Sequence, residues 1–139
     1  MVTRYPRIGF LAARFRSALS PPTKQYGRAS WDEGFVAQVH DVIQQHLGDP
    51  LYTTTAAATD LGMSRMHLNR RLRALTGKST HEFIRAIRLD AAREMLLHSN
   101  DPVRAVAAAV GFSSTSHFAH AFCDRFGMTP SNFRMQRSR

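Results

Sequence analysis

The sequence predicts an all-α fold, and three observations support this prediction. Residues that start and stop helices recur at short intervals from residue 30 onward. Apolar residues between them repeat at helical spacing, and no stretch shows sustained alternation of apolar and polar residues. The 139 residues suit one compact domain or two very small ones that share a core, and a hydrophobic content of 43% argues against a wholly disordered chain.

The first predicted helix begins with a capping box and ends at a glycine. Ser30 and Glu33 can each satisfy a backbone N–H that the first turn leaves without a partner. Gly48 terminates the helix, and Trp31 is expected to anchor it to the core. The apolar face is expected to consist of Phe35, Val36, Val39, Val42, Ile43 and Leu47.

Six further helices are predicted from the same kinds of signal. Thr53 caps a short second helix through Leu61, and Ser64 caps a third helix that ends at Gly77. A second capping box at residues 79–82 opens a long fourth helix through about Leu97, with an apolar stripe of Phe83, Ile84, Ile87, Ala91 and Met95. The last three helices have their start signals at Asp101-Pro102, Ser114 and Thr129-Pro130, and the sixth ends near Gly127.

The chain contains two copies of one unit, in which a short helix, a glycine turn and a second helix follow one another. Ala58 precedes Gly62 by four residues, and Ala107 precedes Gly111 by four. A small residue lets two helices approach closely, and a glycine can adopt positive φ in the turn between them. The copies then continue in register through the pairs Ser64/Ser114, His67/His117, Leu68/Phe118, Leu72/Phe122 and Gly77/Gly127. This repeat predicts two helix-turn-helix subdomains.

Charge and repeat together predict the domain organisation. Residues 1–30 carry six basic and no acidic side chains, and are expected to form a flexible basic segment. Residues 31–139 carry 13 basic and 10 acidic side chains and form the folded domain. Its helix-turn-helix subdomains are expected at 53–77 and 102–127, joined by a linker helix at 79–97.

The exposed face of the third helix indicates binding to double-stranded DNA. Leu68 and Leu72 are expected to face the core, and no acidic residue occurs from Gly62 to His81. A helix that is merely solvated commonly mixes charges of both signs, whereas arginine can pair with guanine and asparagine with adenine in the major groove. The outward side chains are expected to be Arg65, Met66, Asn69, Arg70 and Arg73.

The equivalent face of the sixth helix contributes little charge. Thr115, Ser116 and His120 are expected to face outward, and hydroxyl groups can contact phosphates or bases. The first subdomain is therefore expected to dominate affinity and specificity, while the second positions the protein or extends the footprint.

Other classes of function have little support. The sequence has no carboxylate pair, nucleophile elbow or glycine-rich phosphate loop, so we expect neither an enzyme nor a cofactor. The seven histidines lack a complete set of ligands at suitable spacing, so no metal is expected. No apolar run is long enough to span a membrane, and the lone Cys123 favours a reducing compartment, the cytoplasm. A protein-interaction module that docks an acidic partner through the basic helix faces remains the alternative, and coating of DNA by residues 1–28 is a third reading.

Two stretches resemble the DNA-binding domain of AraC/XylS-type transcription regulators. The first extends from Leu61-Gly62-Met63-Ser64 through Glu82-Phe83-Ile84-Arg85 to Ala91-Ala92, and the second from Val106-Ala107 through Val110-Gly111-Phe112-Ser113 to Phe133-Arg134. The stretch from Met63 to Leu89 is most similar to the output domains of hybrid two-component regulators. The resemblance implies seven helices, with two recognition helices in successive major grooves on one face of the DNA. It also implies a role in bacterial transcription, with RNA polymerase as a further partner.

The resemblance assigns base-reading positions to Met66, Asn69 and Arg70 in the first subdomain and to Thr115, Ser116 and His120 in the second. His120 departs from the arginine usual in the family, which argues against strong base readout there. The predicted DNA-binding set is completed by Ser64, Arg65 and Arg73. Residues 1–30 are too short for a ligand-binding or receiver domain, so a fragment or a minimal regulator is expected. The domain is expected to bind as a monomer, whereas a longer parent protein would dimerise.

Overall fold

A computed structural model describes residues 28–137, which form seven helices and no strand. The all-α prediction is therefore confirmed. None of these helices combines the length and the apolar character that crossing a bilayer requires. The helices are α1 (Arg28–Gln45), α2 (Thr54–Asp60), α3 (Arg65–Thr76), α4 (Thr80–His98), α5 (Val103–Ala109), α6 (Thr115–Phe126) and α7 (Pro130–Arg137).

The described residues divide into two compact units that are interleaved in sequence. Unit 1 comprises residues 28–46 and 53–84, and unit 2 comprises residues 47–52 and 85–137. Each unit contains one copy of the repeat. The predicted basic segment lies outside the described residues except for its last three, which belong to α1.

Most helices begin and end where the local signals predict. Predicted cap hydroxyls accept hydrogen bonds of 3.0–3.3 Å from the backbone N–H three residues later. Gly77 and Gly127 occupy the left-handed C-cap positions of α3 and α6, with φ of 76° and 80°. The capping hydroxyls belong to Thr53, Ser64, Ser79, Ser114 and Thr129.

Three predictions for the helix starts and the core are wrong. Helix α1 begins at Arg28, two residues before the predicted cap at Ser30, because Arg28 and Ala29 both have high helix propensity. Pro102 rather than Asp101 is the N-cap of α5, and no side chain bonds there. Trp31 does not anchor α1, since its side chain is 77% exposed.

The glycine turns of the two repeats have the predicted backbone conformation. Gly62 and Gly111 have φ of 70° and 89°, a region that side chains with a Cβ rarely adopt. The alanines four residues earlier, Ala58 and Ala107, are 2% and 1% exposed, which confirms close packing at those positions. Gly111 is also crowded, because a Cβ there would lie 2.6 Å from the carbonyl oxygen of Leu47.

Apolar residues of helical spacing form the core of each unit. In unit 1, Leu68 and Leu72 of α3 are fully buried. The side chains of Val39 and Ile43 of α1 are 0% and 1% exposed. In unit 2, an aromatic cluster centres on Phe122, whose ring centroid lies 4.6–5.8 Å from three others. Those rings belong to Phe118, Phe126 and Phe133.

Arg88 of α4 supports unit 2 in a way that the sequence does not predict. Its guanidinium donates to the carbonyl oxygens of Gly111 at 3.2 Å, Asp49 at 2.9 Å and Tyr52 at 3.3 Å. One side chain thereby ties α4 to the loop before α2 and to the glycine turn of the second repeat. Desolvation by burial lowers the pKa of Arg88 from its ordinary value, and the charge of Asp49 partly offsets that effect.

Two arginines of α7 satisfy the carboxyl-terminal end of α4. Arg137 donates to the carbonyl oxygens of Leu96, Leu97 and Ser99 at 2.7–3.1 Å. Arg134 donates to the carbonyl oxygen of Ser99 at 3.2 Å and also to that of Asp101. The last carbonyls of a helix lack intrahelical partners, so these bonds fix where α4 ends.

Candidate nucleic-acid interface

The local sequence of α3 determines which side chains it presents to solvent. Ser64 caps the helix by accepting a hydrogen bond from the backbone N of His67 at 3.0 Å. Leu68 and Leu72, four residues apart, are fully buried in unit 1. The predicted outward side chains that are exposed are those of Arg65, Met66, Arg70 and Arg73, together with the cap residue Ser64.

Three arginines of α3 have no acidic partner in the part of the chain that the structure describes. Arg65, Arg70 and Arg73 form no ion pair with any other residue in the range 28–137. Met66 lies among them and is 70% exposed. The face therefore combines uncompensated positive charge with one large apolar side chain.

One side of α3, from Ser64 to Ala74, borders a depression. An open depression of about 480 Å³ lies along α3. The DNA-binding set predicted from the sequence lacks three of its residues, His67, Arg71 and Ala74. The spacing of residues along a helix gives no signal for a concavity. The lining residues are Ser64, Met66, His67, Arg70, Arg71 and Ala74.

Arg71 differs from its neighbours because it packs against α1. Its guanidinium carbon lies 3.8 Å from the centroid of the Phe35 ring, within the range of a cation–π contact. Its NH2 atom also lies 3.8 Å from Oδ1 of Asp32. Arg71 is therefore partly committed to holding unit 1 together, whereas Arg70 is exposed and forms no such contact.

Asn69 is half-buried, and its side chain is not free as the sequence predicts. Its Oδ1 accepts a hydrogen bond of 3.0 Å from the backbone N of Thr80, the first residue of α4. Bidentate pairing with adenine requires the amide oxygen as well as the nitrogen. The expectation that Asn69 points freely outward is thus corrected, because its oxygen satisfies a helix N–H that has no intrahelical partner.

The face of α6 is exposed as predicted but is electrically different from that of α3. Thr115, Ser116 and His120 are all exposed. Arg125, the only arginine of α6, donates to both carboxylate oxygens of Asp90, at 3.0 and 2.9 Å. Asp124 approaches Arg85 at 3.8 Å. The outward face of α6 is consequently polar with little uncompensated charge.

The described residues contain no cluster of three or more side chains suited to hold a metal ion. His117 packs edge-on against Phe112, with ring centroids 5.7 Å apart. Cys123 is exposed on α6.

Comparison with known proteins identifies the family. A family model described as a helix-turn-helix domain matches residues 57–136. The HTH-type transcriptional activator RhaS of Escherichia fergusonii is 30% identical over 109 residues, which cover 76% of this chain and 39% of RhaS. Histidine kinase P4 of Formosa agariphila is 27% identical over 124 residues, which cover 89% of this chain and 9% of the kinase. The chain thus spans less than half the length of either relative.

Solved structures agree with the sequence comparison. A transcriptional regulator with an AraC-type DNA-binding domain from Chromobacterium violaceum has a TM-score of 0.72 at 25% identity, covering 79% of this chain and 97% of that one. The DNA-binding domain of AdpA, solved with a target DNA, has a TM-score of 0.67 at 28% identity, covering 73% and 90%. The chain therefore belongs to the AraC/XylS-type family of helix-turn-helix DNA-binding domains.

Proposed function

We propose that this chain binds double-stranded DNA sequence-specifically and thereby regulates bacterial transcription. The proposal depends on the exposed α3 face, which presents Arg65, Arg70 and Arg73 without acidic partners among residues 28–137. Arginine supplies both attraction to phosphates and bidentate pairing with guanine in the major groove. A helix-turn-helix offers its second helix to that groove, and α3 is the second helix of the first repeat.

The two repeats have unequal roles in this proposal. Helix α3 supplies most of the affinity and specificity because three of its four arginines, Arg65, Arg70 and Arg73, form no ion pair within residues 28–137. Helix α6 carries Thr115, Ser116 and His120, which can contact phosphates or bases but add little charge. Its one arginine is engaged by Asp90. The second recognition helix therefore positions the domain and extends the footprint over the next major groove, about one helical turn away.

The wider setting is also proposed from the family and from the relatives. The match to a histidine kinase, together with the likeness of residues 63–89 to hybrid two-component output domains, supports a role as an output domain in the bacterial cytoplasm. RNA polymerase is the expected further protein partner. One domain can bind an asymmetric site as a monomer, since the two helix-turn-helix units lie in one chain.

Selection of bound duplexes from a random pool tests the proposal. Recovery of a common sequence, bound at least a thousandfold more tightly than random DNA, is expected for a specific regulator. Mobility shifts with that duplex at two salt concentrations then measure the electrostatic contribution. Failure to retard any duplex even at low salt would overturn the proposal and favour an acidic protein partner.

A truncation separates specific binding from coating of DNA by the basic segment. Deletion of residues 1–27 removes five basic side chains and leaves α1 intact. The variant is expected to bind the selected duplex only modestly more weakly and to keep its sequence preference. Loss of all binding would instead assign DNA binding to the basic segment.

A further inference from the structure

We propose that Met66 and Arg70 together select a guanine and, within two base pairs of it, a pyrimidine that bears a methyl group at C5. The proposal rests on the proposed function and specifies the DNA that α3 recognises. Thymine carries this methyl group, and so does 5-methylcytosine. Because 5-methylcytosine carries the same methyl group as thymine, the proposed ligands include DNA methylated at cytosine C5.

The exposure of Met66 is the first observation. Its side chain is 70% exposed on the first turn of α3, although methionine is usually among the buried residues. It lies in the depression along α3 together with Arg70. An apolar group in such a place gains by covering another apolar group, and the thymine methyl is the apolar group that the major groove presents.

The neighbours of Met66 narrow the choice of base readers. Asn69 already accepts a hydrogen bond from Thr80, and Arg71 packs on Phe35. Arg70 has neither constraint and is exposed. Met66 and Arg70 are therefore the two long, flexible side chains of this depression that can reach a base without breaking a contact within unit 1; the shorter side chain of His67 is also exposed there.

The spacing of the pair sets the spacing of the bases. Residues four apart lie on the same helix face and are separated by about 6 Å along the axis. Successive base pairs lie about 3.4 Å apart. If Arg70 pairs with guanine O6 and N7, Met66 reaches a base at most about two pairs away.

Base analogues in the selected duplex test the methyl contact directly. Replacing the thymine nearest the guanine by uracil removes only the methyl group. We expect about fourfold weaker binding, the effect of one buried methyl group. Replacing that thymine by cytosine and then by 5-methylcytosine, each with guanine opposite, should recover a similar factor in the second step. Electrophoretic titration at fixed salt measures both.

Protein variants identify the side chain that reads the methyl group. Met66→Ala should bind the thymine and uracil duplexes equally. Met135→Ala, which changes a methionine 61% exposed on α7, should keep the fourfold difference. Both sites are exposed, so circular dichroism should report unchanged helicity for both variants.

Three outcomes would overturn the inference. A selected sequence without thymine near guanine would do so, as would equal binding of thymine and uracil duplexes by the unchanged protein. Persistence of the difference in Met66→Ala would assign the methyl contact to another residue. Each of these outcomes requires specific DNA binding to be observed first, so they are distinguishable from failure of the proposed function.

Discussion

Arg71 lies with its guanidinium carbon 3.8 Å from the ring centroid of Phe35, whereas the adjacent Arg70 is exposed. Two consecutive arginines of α3 thus serve different purposes. One contributes to the packing of α3 against α1 within unit 1, and the other faces solvent. Sequence position alone does not separate them, because both belong to the same basic run.

Replacement of each arginine by alanine should separate stability from DNA binding. Arg71→Ala loses a cation–π contact and a weak ion pair, so the free energy of unfolding should fall by about 1 kcal/mol. Arg70→Ala should change it by less than about 0.5 kcal/mol, yet weaken binding to the selected duplex by about 1–3 kcal/mol and relax one base position. Urea unfolding and duplex titration measure the two effects. Equal loss on all sequences for Arg70→Ala would contradict direct base readout.

Arg73→Ala should weaken binding to every duplex to a similar extent. Arg73 is exposed near the carboxyl-terminal end of α3, farther than Arg70 from the amino-terminal residues that recognition helices direct at base edges. A phosphate contact releases counterions, so its loss should reduce the slope of log K against log salt by about 1. Titrations from low to moderate salt measure that slope. A change in sequence preference would instead make Arg73 a base reader.

Asn69 should behave as a residue that positions α4. Asn69→Ala leaves the backbone N–H of the buried Thr80 without its acceptor, at a cost of about 1–3 kcal/mol in unfolding free energy. Asn69→Asp keeps an acceptor oxygen there and adds negative charge at a helix N-terminus, so stability should largely return. DNA binding by Asn69→Asp should nevertheless weaken because the new charge repels phosphates. Similar stability of the two variants would refute the positioning role.

The equivalent glycines of the two repeats should differ in their tolerance of alanine. At Gly62, with φ of 70°, a Cβ meets no atom within 4 Å, so Gly62→Ala should cost only the backbone strain of about 1–2 kcal/mol. At Gly111, a Cβ would lie 2.6 Å from the Leu47 carbonyl oxygen and 2.9 Å from the Arg88 guanidinium carbon. Gly111→Ala should therefore cost about 3 kcal/mol or more. Thermal unfolding of both variants provides the comparison.

Features that depend on neighbouring residues could be predicted from the sequence. The caps at Ser64 and Ser114 act on a backbone N–H three residues away, and the buried leucines of α3 follow from spacing within one helix. The repeat also allowed the glycine turns to be predicted, because the same spacing of alanine and glycine occurs in two copies that are in register. These signals were sufficient for the helices, the fold class and most of the exposed α3 face.

Contacts between distant residues could not be predicted. The bond from Thr80 to Asn69 spans 11 residues, and the bond from Arg88 to Asp49 spans 39. Neither bond leaves a pattern in the local sequence. An arginine on a helix, such as Arg88, is indistinguishable by sequence from one that is merely exposed to solvent. The prediction that Trp31 is buried was wrong for a different reason. Hydrophobicity predicts burial on average, but only the packing around one side chain decides whether that side chain is buried.

The three carbonyls bound by Arg88 have a consequence for how this protein can be divided. Two of them, at Asp49 and Tyr52, come from a loop that precedes the first glycine turn, while the third follows α5. A piece that starts at residue 85 would retain the arginine but lack two of its acceptors and the Leu47 backbone against which Gly111 fits. The duplication visible in the sequence is therefore not a pair of detachable modules: no single cut of the polypeptide separates the whole of unit 2 from unit 1.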